Sequence, residues 1–164
     1  MKVNIALLTV TDTRTIDNDK SGGILVNKFK EANHNLIERK ICKDNKDDIV
    51  VILREWLKNE KIDVIITTGG TGLTGRDITP EALNEVAEKH IPGFGEIFRN
   101  ISIKTVGTSA IQSRACAVLS NGKYIFALPG SSGGVTDAWE GILKHQLDIN
   151  HKPCNFVELF PRLK

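Results

Sequence analysis

The sequence predicts an α/β fold: a three-layer α/β/α sandwich around a mostly parallel sheet, with one antiparallel strand. Three observations predict it. Apolar, β-branched runs alternate with segments of helical periodicity three times, which calls for parallel strands connected by helices on both faces. Ser120-Asn121-Gly122 separates two later apolar runs, and Asn-Gly in that setting is a strong hairpin signal. Finally, a glycine-rich stretch at Thr67–Ala82, TTGGTGLTGRDITPEA, joins a short buried strand to a helix. Ligands in open parallel sheets bind beyond the carboxyl ends of the strands, and this loop leaves a strand there.

The elements follow in order. Val3–Val10 is apolar almost throughout, as a strand covered on both faces should be. After the polar turn TDTRTIDNDKSGG, the residues Leu25, Val26, Phe29 and Ala32 recur at helical spacing. Leu36–Lys43 alternates, with Ile37, Arg39 and Ile41 on one face and Leu36, Glu38 and Lys40 on the other. Ile49, Ile52, Leu53, Trp56 and Leu57 then share one helical face. Asp63–Thr67 is a buried strand running into the glycines. Thr79 suits an N-cap and Pro80 a first helical position, so a helix starts there and turns Leu83, Val86 and Ala87 inward. Pro92–Lys104 is expected to hold another helix. Ala115–Leu119 and Lys123–Leu128 form the hairpin, and Val135, Ala138, Trp139, Ile142 and Leu143 mark a last long helix. The tail from Asp148 onward has no clear period. With no linker, repeat or low-complexity segment, residues 1–164 read as one domain.

Composition narrows the function classes. A hydrophobic fraction of 40% with 26% charged residues suits a soluble globular chain. Twenty-two basic and 20 acidic residues leave a formal net charge of +2, with no block of like charge to attract nucleic acid. Aromatic residues make up only 5%, too few for a base-stacking surface. The three cysteines, Cys42, Cys116 and Cys154, have no C-x-x-C spacing and read as reduced cytosolic thiols. The four histidines show no metal-ligand spacing. Lys2 before an apolar run loosely resembles a signal peptide, but Asn4 interrupts the run and charges follow at once, so a core strand is the better reading. No run approaches the roughly 18 apolar residues of a membrane span. No nucleic-acid or membrane partner is therefore expected, and the cytoplasm is the expected location.

The glycine-rich loop carries the chemistry. Thr68, Gly69, Gly70, Thr71 and Gly72 allow a tight turn in which backbone N–H groups approach an anion. The following helix adds the partial positive charge of its N-terminus. Gly70–Gly75 also satisfies G-x-G-x-x-G, the dinucleotide-binding pattern. Its context does not fit, because it follows the third strand, its helix begins late, and no acidic strand end lies about 20 residues on. The Walker pattern fails too, since no Gly-Lys-Ser/Thr follows. Arg76 could pair with phosphate through its fork. Asp77 is either a natural Mg²⁺ ligand beside phosphates or the acceptor of an Asx-turn. Glu81 better suits a helix-dipole partner than a catalytic acid.

Three other loops are expected at the same sheet edge. Thr11, Asp12 and Arg14 follow the first strand, and Asp44 follows the second. Pro129, Gly130 and Ser131 lead into the last helix as a second candidate anion site. Ser113 and Arg114 could add a hydroxyl and a cation. Each loop alone reads equally as turn chemistry.

Together with IPGFGEIFRNIS at 91–102, GTSAIQSRACA at 107–117 and LPGS at 128–131, the glycine-rich block resembles the MoaB/MogA family of molybdenum cofactor biosynthesis. The resemblance runs from TVTDTR at 9–14 to HKPCNF at 151–156, and its last two blocks look closer to MoaB. It implies a molybdopterin-binding fold and adenylylation of molybdopterin by Mg-ATP, with release of pyrophosphate. It places Asp77 on the essential acid of the R-D-x-T-P-E block and Asp44 on a second family aspartate, the two expected metal ligands. Lys43-Asp44-Asn45 departs from the family's P-D-E/D context in its flanking residues but keeps the aspartate. Some MoaB-type members lack one or both acids; this chain keeps both, which favours an enzyme over a non-catalytic pterin carrier or scaffold. The family also implies a homo-trimer or homo-hexamer.

Overall fold

A computed structural model describes residues 1–163. Six strands form one sheet in the order β2-β1-β3-β6-β5-β4. The elements are β1 (Asn4–Val10), α1 (Lys20–Glu31), β2 (Asn35–Cys42), α2 (Lys46–Lys58), β3 (Val64–Thr68), α3 (Thr79–Val86), β4 (Lys89–His90), α4 (Pro92–Val106), β5 (Cys116–Ser120), β6 (Lys123–Leu128) and α5 (Ser132–Ala138). β1 pairs in parallel with β2 and β3, and β3 with β6. β5 lies antiparallel to both β6 and β4, so it alone runs against the rest. The expected single antiparallel strand is present. The two-residue β4, too short to leave a sequence pattern, completes the edge beyond it.

Side-chain alternation sorts the core into two layers. Ile5, Leu7, Val64, Ile66, Phe126 and Leu128 face α1, α4 and α5, where Phe29, Phe98 and Trp139 are buried. Ala6, Leu8, Val10, Ile65, Ile125 and Ala127 face α2 and α3, packing on Leu53, Trp56 and Leu83. The central strands are apolar on both faces because helices cover both. β2 lies at one edge of the sheet, and its two faces divide as expected. Its Arg39 turns to Asp19 ahead of α1, while Glu38 accepts from the Trp56 indole at 2.7 Å on the α2 side.

Three local features differ from expectation or extend it. Thr79 does not cap α3. The N-cap position falls on Ile78 without a side-chain bond, and the Thr79 hydroxyl donates instead to the Gly69 carbonyl at 2.8 Å. That bond is available because the loop folds back over the helix start. In the hairpin, Asn121 (φ 45°) and Gly122 (φ 68°) both take the left-handed conformation that a type I′ turn needs. The last helix is long, as its periodicity implies, but α5 passes through a π turn at Trp139–Leu143 before α6 (Lys144–Gln146). The tail is held by Asn155, 2% exposed, which donates to the carbonyls of Ile149 and His151. Among the described residues, no helix is long and apolar enough to cross a membrane.

Candidate active site

The parallel strands deliver four loops to one edge of the sheet, around a cleft of about 1080 Å³. The glycine-rich loop forms its middle. Gly69 N–H donates to the Leu128 carbonyl at 3.0 Å, continuing the β3–β6 ladder into the loop. Gly69 has φ 103°, and a Cβ there would stand 2.2 Å from the Val10 carbonyl oxygen. Only glycine lets the loop cross the end of β1 so closely. Thr79 then pins the loop a second time, its N–H donating to the Gly70 carbonyl at 3.0 Å.

Asp77 sits at the far end of this loop. Its Oδ2 accepts from the Thr74 N–H at 2.9 Å and the Thr74 hydroxyl at 2.8 Å. Burial alone would raise its pKa, but these bonds, the Gly72 N–H and the nearby Arg114 cation hold it below the ordinary value. Of the two roles considered from the sequence, the turn is present in these bonds to Thr74, and the same carboxylate also lines the cleft. A carboxylate has about four lone-pair sites and these protein donors take three, so acceptor capacity remains.

Asp44, after β2, also lines the cleft. Burial and repulsion from Asp77 raise its pKa. Its N–H donates to Asp12 Oδ1 at 3.1 Å, which brings the loops after β1 and β2 together. Arg76 pairs with Asp12 Oδ2 and is not part of the cleft lining.

Arg114 and Glu81 are likewise placed behind the loop rather than in the cleft. Arg114 donates through Nε to the Gly72 carbonyl and through Nη2 to the Asp77 carbonyl, both at 2.7 Å, and its Nη1 pairs with Glu81. Its own N–H donates to the Thr71 carbonyl at 2.8 Å. This one side chain fixes the curvature of the whole segment from Gly72 to Asp77. The Glu81 hydrogen bond accounts first for the raised pKa of Arg114, and the same bond lowers that of Glu81.

The remaining candidates converge. Thr11, Asp12, Thr68, Gly70, Thr71 and Gly72 line the cleft with Gly69, and Ser113, Pro129, Gly130 and Ser131 close its other side. Ser131 caps α5 by accepting from the Gly134 N–H at 3.1 Å.

Two features of the cleft escaped the sequence reading. One is Asp19, 5% exposed, beneath its floor. Asp19 Oδ2 accepts from the Thr9 hydroxyl at 2.6 Å and from Arg39 Nη2 at 3.0 Å, and Oδ1 from the Gly22 N–H at 3.0 Å. Burial opposes ionisation, but these donors keep its pKa below the ordinary value. Thr68 links this group to the glycine loop, with its hydroxyl 3.1 Å from Ser21 Oγ and 2.7 Å from the Pro129 carbonyl. An N-cap signal was available in Asp19-Lys20-Ser21-Gly22, ahead of the first helix. The other is the α4–α5 wall, where Ser102, Thr105 and Asp137 face the cleft. No spacing rule joins residues 35 positions apart.

The cleft is rich in aspartate, while among the described residues Lys20 and Arg14 are the only lysine and arginine that line it. Among the described residues no group of three His, Cys, Asp or Glu side chains is arranged to hold a metal ion. Asp44, raised in pKa by burial and by Asp77, and Asp77, held low against its burial by the loop's hydrogen bonds and Arg114, would suit a different donor set: a hard divalent cation that keeps waters and takes its other oxygens from phosphates.

Comparison with known proteins gives this geometry its context. A family profile described as a probable molybdopterin binding domain matches residues 6–149. Molybdenum cofactor biosynthesis protein B of Escherichia coli K12 is 42% identical over 160 residues, covering 98% of this chain and 92% of that protein. A crystal structure of a molybdenum cofactor biosynthesis protein B superposes with a TM-score of 0.90 at 37% identity, covering 99% of this chain and 96% of the other. The tungsten cofactor synthesizing protein MoaB from Pyrococcus furiosus gives 0.78 at 33% identity, covering 88% and 92%.

Proposed function

The chain belongs to the MoaB/MogA family of molybdenum cofactor biosynthesis, and from that premise we propose that it is a molybdopterin adenylyltransferase acting with Mg-ATP. A phosphate oxygen of molybdopterin attacks the α-phosphorus of ATP. The new P–O bond forms as the bond from that phosphorus to the bridging oxygen breaks, and pyrophosphate leaves with the electron pair. Such chemistry is mostly positioning and charge neutralisation.

The observation that carries this reading is the Asp44–Asp77 pair, two mutually repelling carboxylates in the same cleft as the glycine-rich loop. Without a cation the pair would repel two polyanionic substrates. Asp77 and Asp44 would hold Mg²⁺, which when bound neutralises phosphate charge and polarises the α-phosphoryl group. The chain's own residues do the rest. Gly69, Gly70 and Gly72 allow phosphates close approach to the backbone, and Arg114 holds Asp77 in place from behind. Thr11, Ser113 and Ser131 offer hydroxyls along the cleft. No covalent nucleophile is required.

The proposal includes a cytoplasmic location, suited to Mg-ATP and to three free cysteines. It also includes assembly as a homo-trimer or homo-hexamer. Ile97, Ile103, Val106 and Ile111 on α4 and the turn after it are 51–83% exposed, an apolar surface that a second copy would bury. Light scattering gives the copy number directly, and a monomer would remove this part. Incubation with molybdopterin, Mg²⁺ and ATP, followed by mass spectrometry, tests the activity. Adenylylated pterin and pyrophosphate are expected. Bound but unmodified pterin would instead identify a carrier.

A further inference from the structure

We propose that Asp137 recognises the pterin ring, its carboxylate accepting from the two adjacent donors of the 2-amino-4-oxo edge. The inference rests on the pterin reading of the cleft and assigns its α4–α5 wall.

Asp137 lies in the last turn of α5 and lines the cleft while half-buried. Its Oδ2 lies 3.0 Å from the Thr105 hydroxyl on α4. That hydroxyl is also 3.0 Å from the Ser102 carbonyl, so its single proton is shared between two acceptors. Among the described residues Asp137 makes no ion pair, unlike Asp12, Asp19 and Glu81. It is an oriented carboxylate with unused acceptor capacity.

Its surroundings decide what it can take. On the α4 side that holds Thr105, the cleft is lined by Phe98, Ser102 and Val106, with neither lysine nor arginine; the cleft's Lys20 and Arg14 lie at the start of α1 and in the loop before it. A phosphate beside an uncompensated carboxylate is repelled. A neutral, flat heterocycle with donors is not, and the wall offers it apolar contact and hydroxyls. Two heterocycles enter the proposed reaction. Adenine sets its amino donor next to an acceptor nitrogen, so it cannot give a carboxylate two parallel donors. The pterin ring presents a ring N–H beside an exocyclic amino group, which matches both carboxylate oxygens at once. That is the fork pairing that makes guanidinium–carboxylate contacts strong and directional.

The test uses two simple pteridines and neither ATP nor Mg²⁺. Pterin carries the 2-amino group; lumazine carries a carbonyl there. Fluorescence titration of wild type should show pterin bound about tenfold more tightly, because a site built to accept from a donor rejects an analogue lacking it. Asp137→Asn offers one donor and one acceptor, the pattern lumazine complements, and should reverse the preference. Thr105→Val should leave the order of preference intact. If wild type prefers pterin and Asp137→Asn keeps that preference, the assignment of Asp137 is overturned while the pterin reading stands. If wild type binds neither pteridine, the pterin reading itself fails, and this inference with it.

Discussion

The guanidinium of Arg114 donates to the main-chain carbonyl of Asp77 at 2.7 Å, so the side chain that shapes the acidic loop never enters the cleft it serves. Arg114→Lys keeps the charge but loses the planar fork that reaches Gly72, Asp77 and Glu81 together. We expect a loss of about 2 kcal/mol in urea unfolding. Half-saturating Mg²⁺ in the adenylylation assay should also rise, a change that mere destabilisation would not cause. An unchanged Mg²⁺ dependence in a folded Arg114→Lys protein would reduce Arg114 to a structural residue.

Asp44 and Asp77 repel each other, and that repulsion has a sign that can be measured. Burial and the Asp77 charge together raise the pKa of Asp44. Asp77→Asn removes the second cause and leaves the first, so the Asp44 carboxyl should titrate lower in that variant. Adding Mg²⁺ to wild type should lower it as well, with proton release on binding. Carboxyl-carbon NMR of Asp44 reads both shifts. A pKa that ignores both the substitution and the ion would mean that the two acids do not share a cation.

The Asp19–Arg39 pair predicts how stability follows pH. The folded pKa of Asp19 lies below its unfolded value of 3.8. Its contribution is therefore fully present above that value and is lost as pH falls through the depressed folded pKa. Asp19→Asn keeps an N-cap but leaves Arg39 without its carboxylate, and should cost about 2 kcal/mol at pH 7. The deficit relative to wild type should shrink toward pH 2. A constant deficit across that range would place the effect in packing instead of charge.

At Gly69 a side chain meets backbone, not a flexible neighbour. With φ 103° and the Val10 carbonyl oxygen 2.2 Å from a built Cβ, Gly69→Ala has to displace the loop or the end of β1. Destabilisation of about 2 kcal/mol or more is expected in thermal or urea unfolding. Gly75→Ala, where nothing lies within 4 Å of the added carbon, is the control and should be near neutral.

These cases also show where sequence reading stops. Element type was legible wherever periodicity reflected burial: the two-sided apolar strands and the helical face of Ile49, Leu53, Trp56 and Leu57 on α2 follow directly from covered surfaces. The hairpin was legible because Asn121 and Gly122 tolerate positive φ. Side-chain direction inside loops was not. Arg76 and Arg114 have the chemistry of an anion site, yet Arg76 is turned onto Asp12, and Arg114 onto Glu81 and the carbonyls of Gly72 and Asp77. Thr79 had the chemistry of a cap, but the folded-back loop offered it the Gly69 carbonyl. Asp137 and Thr105 are joined only by the packing of α4 against α5.

On the proposed function, Asp77 serves metal-dependent adenylyl transfer and not only the fold of its own turn. The most direct test compares wild type with Asp77→Asn in the presence of molybdopterin, ATP and Mg²⁺, following adenylylated pterin by mass spectrometry and bound pterin by fluorescence. Asp77→Asn should bind pterin much as wild type does and form no product, while wild type forms product only when Mg²⁺ is present. Equal product from both proteins would contradict the account.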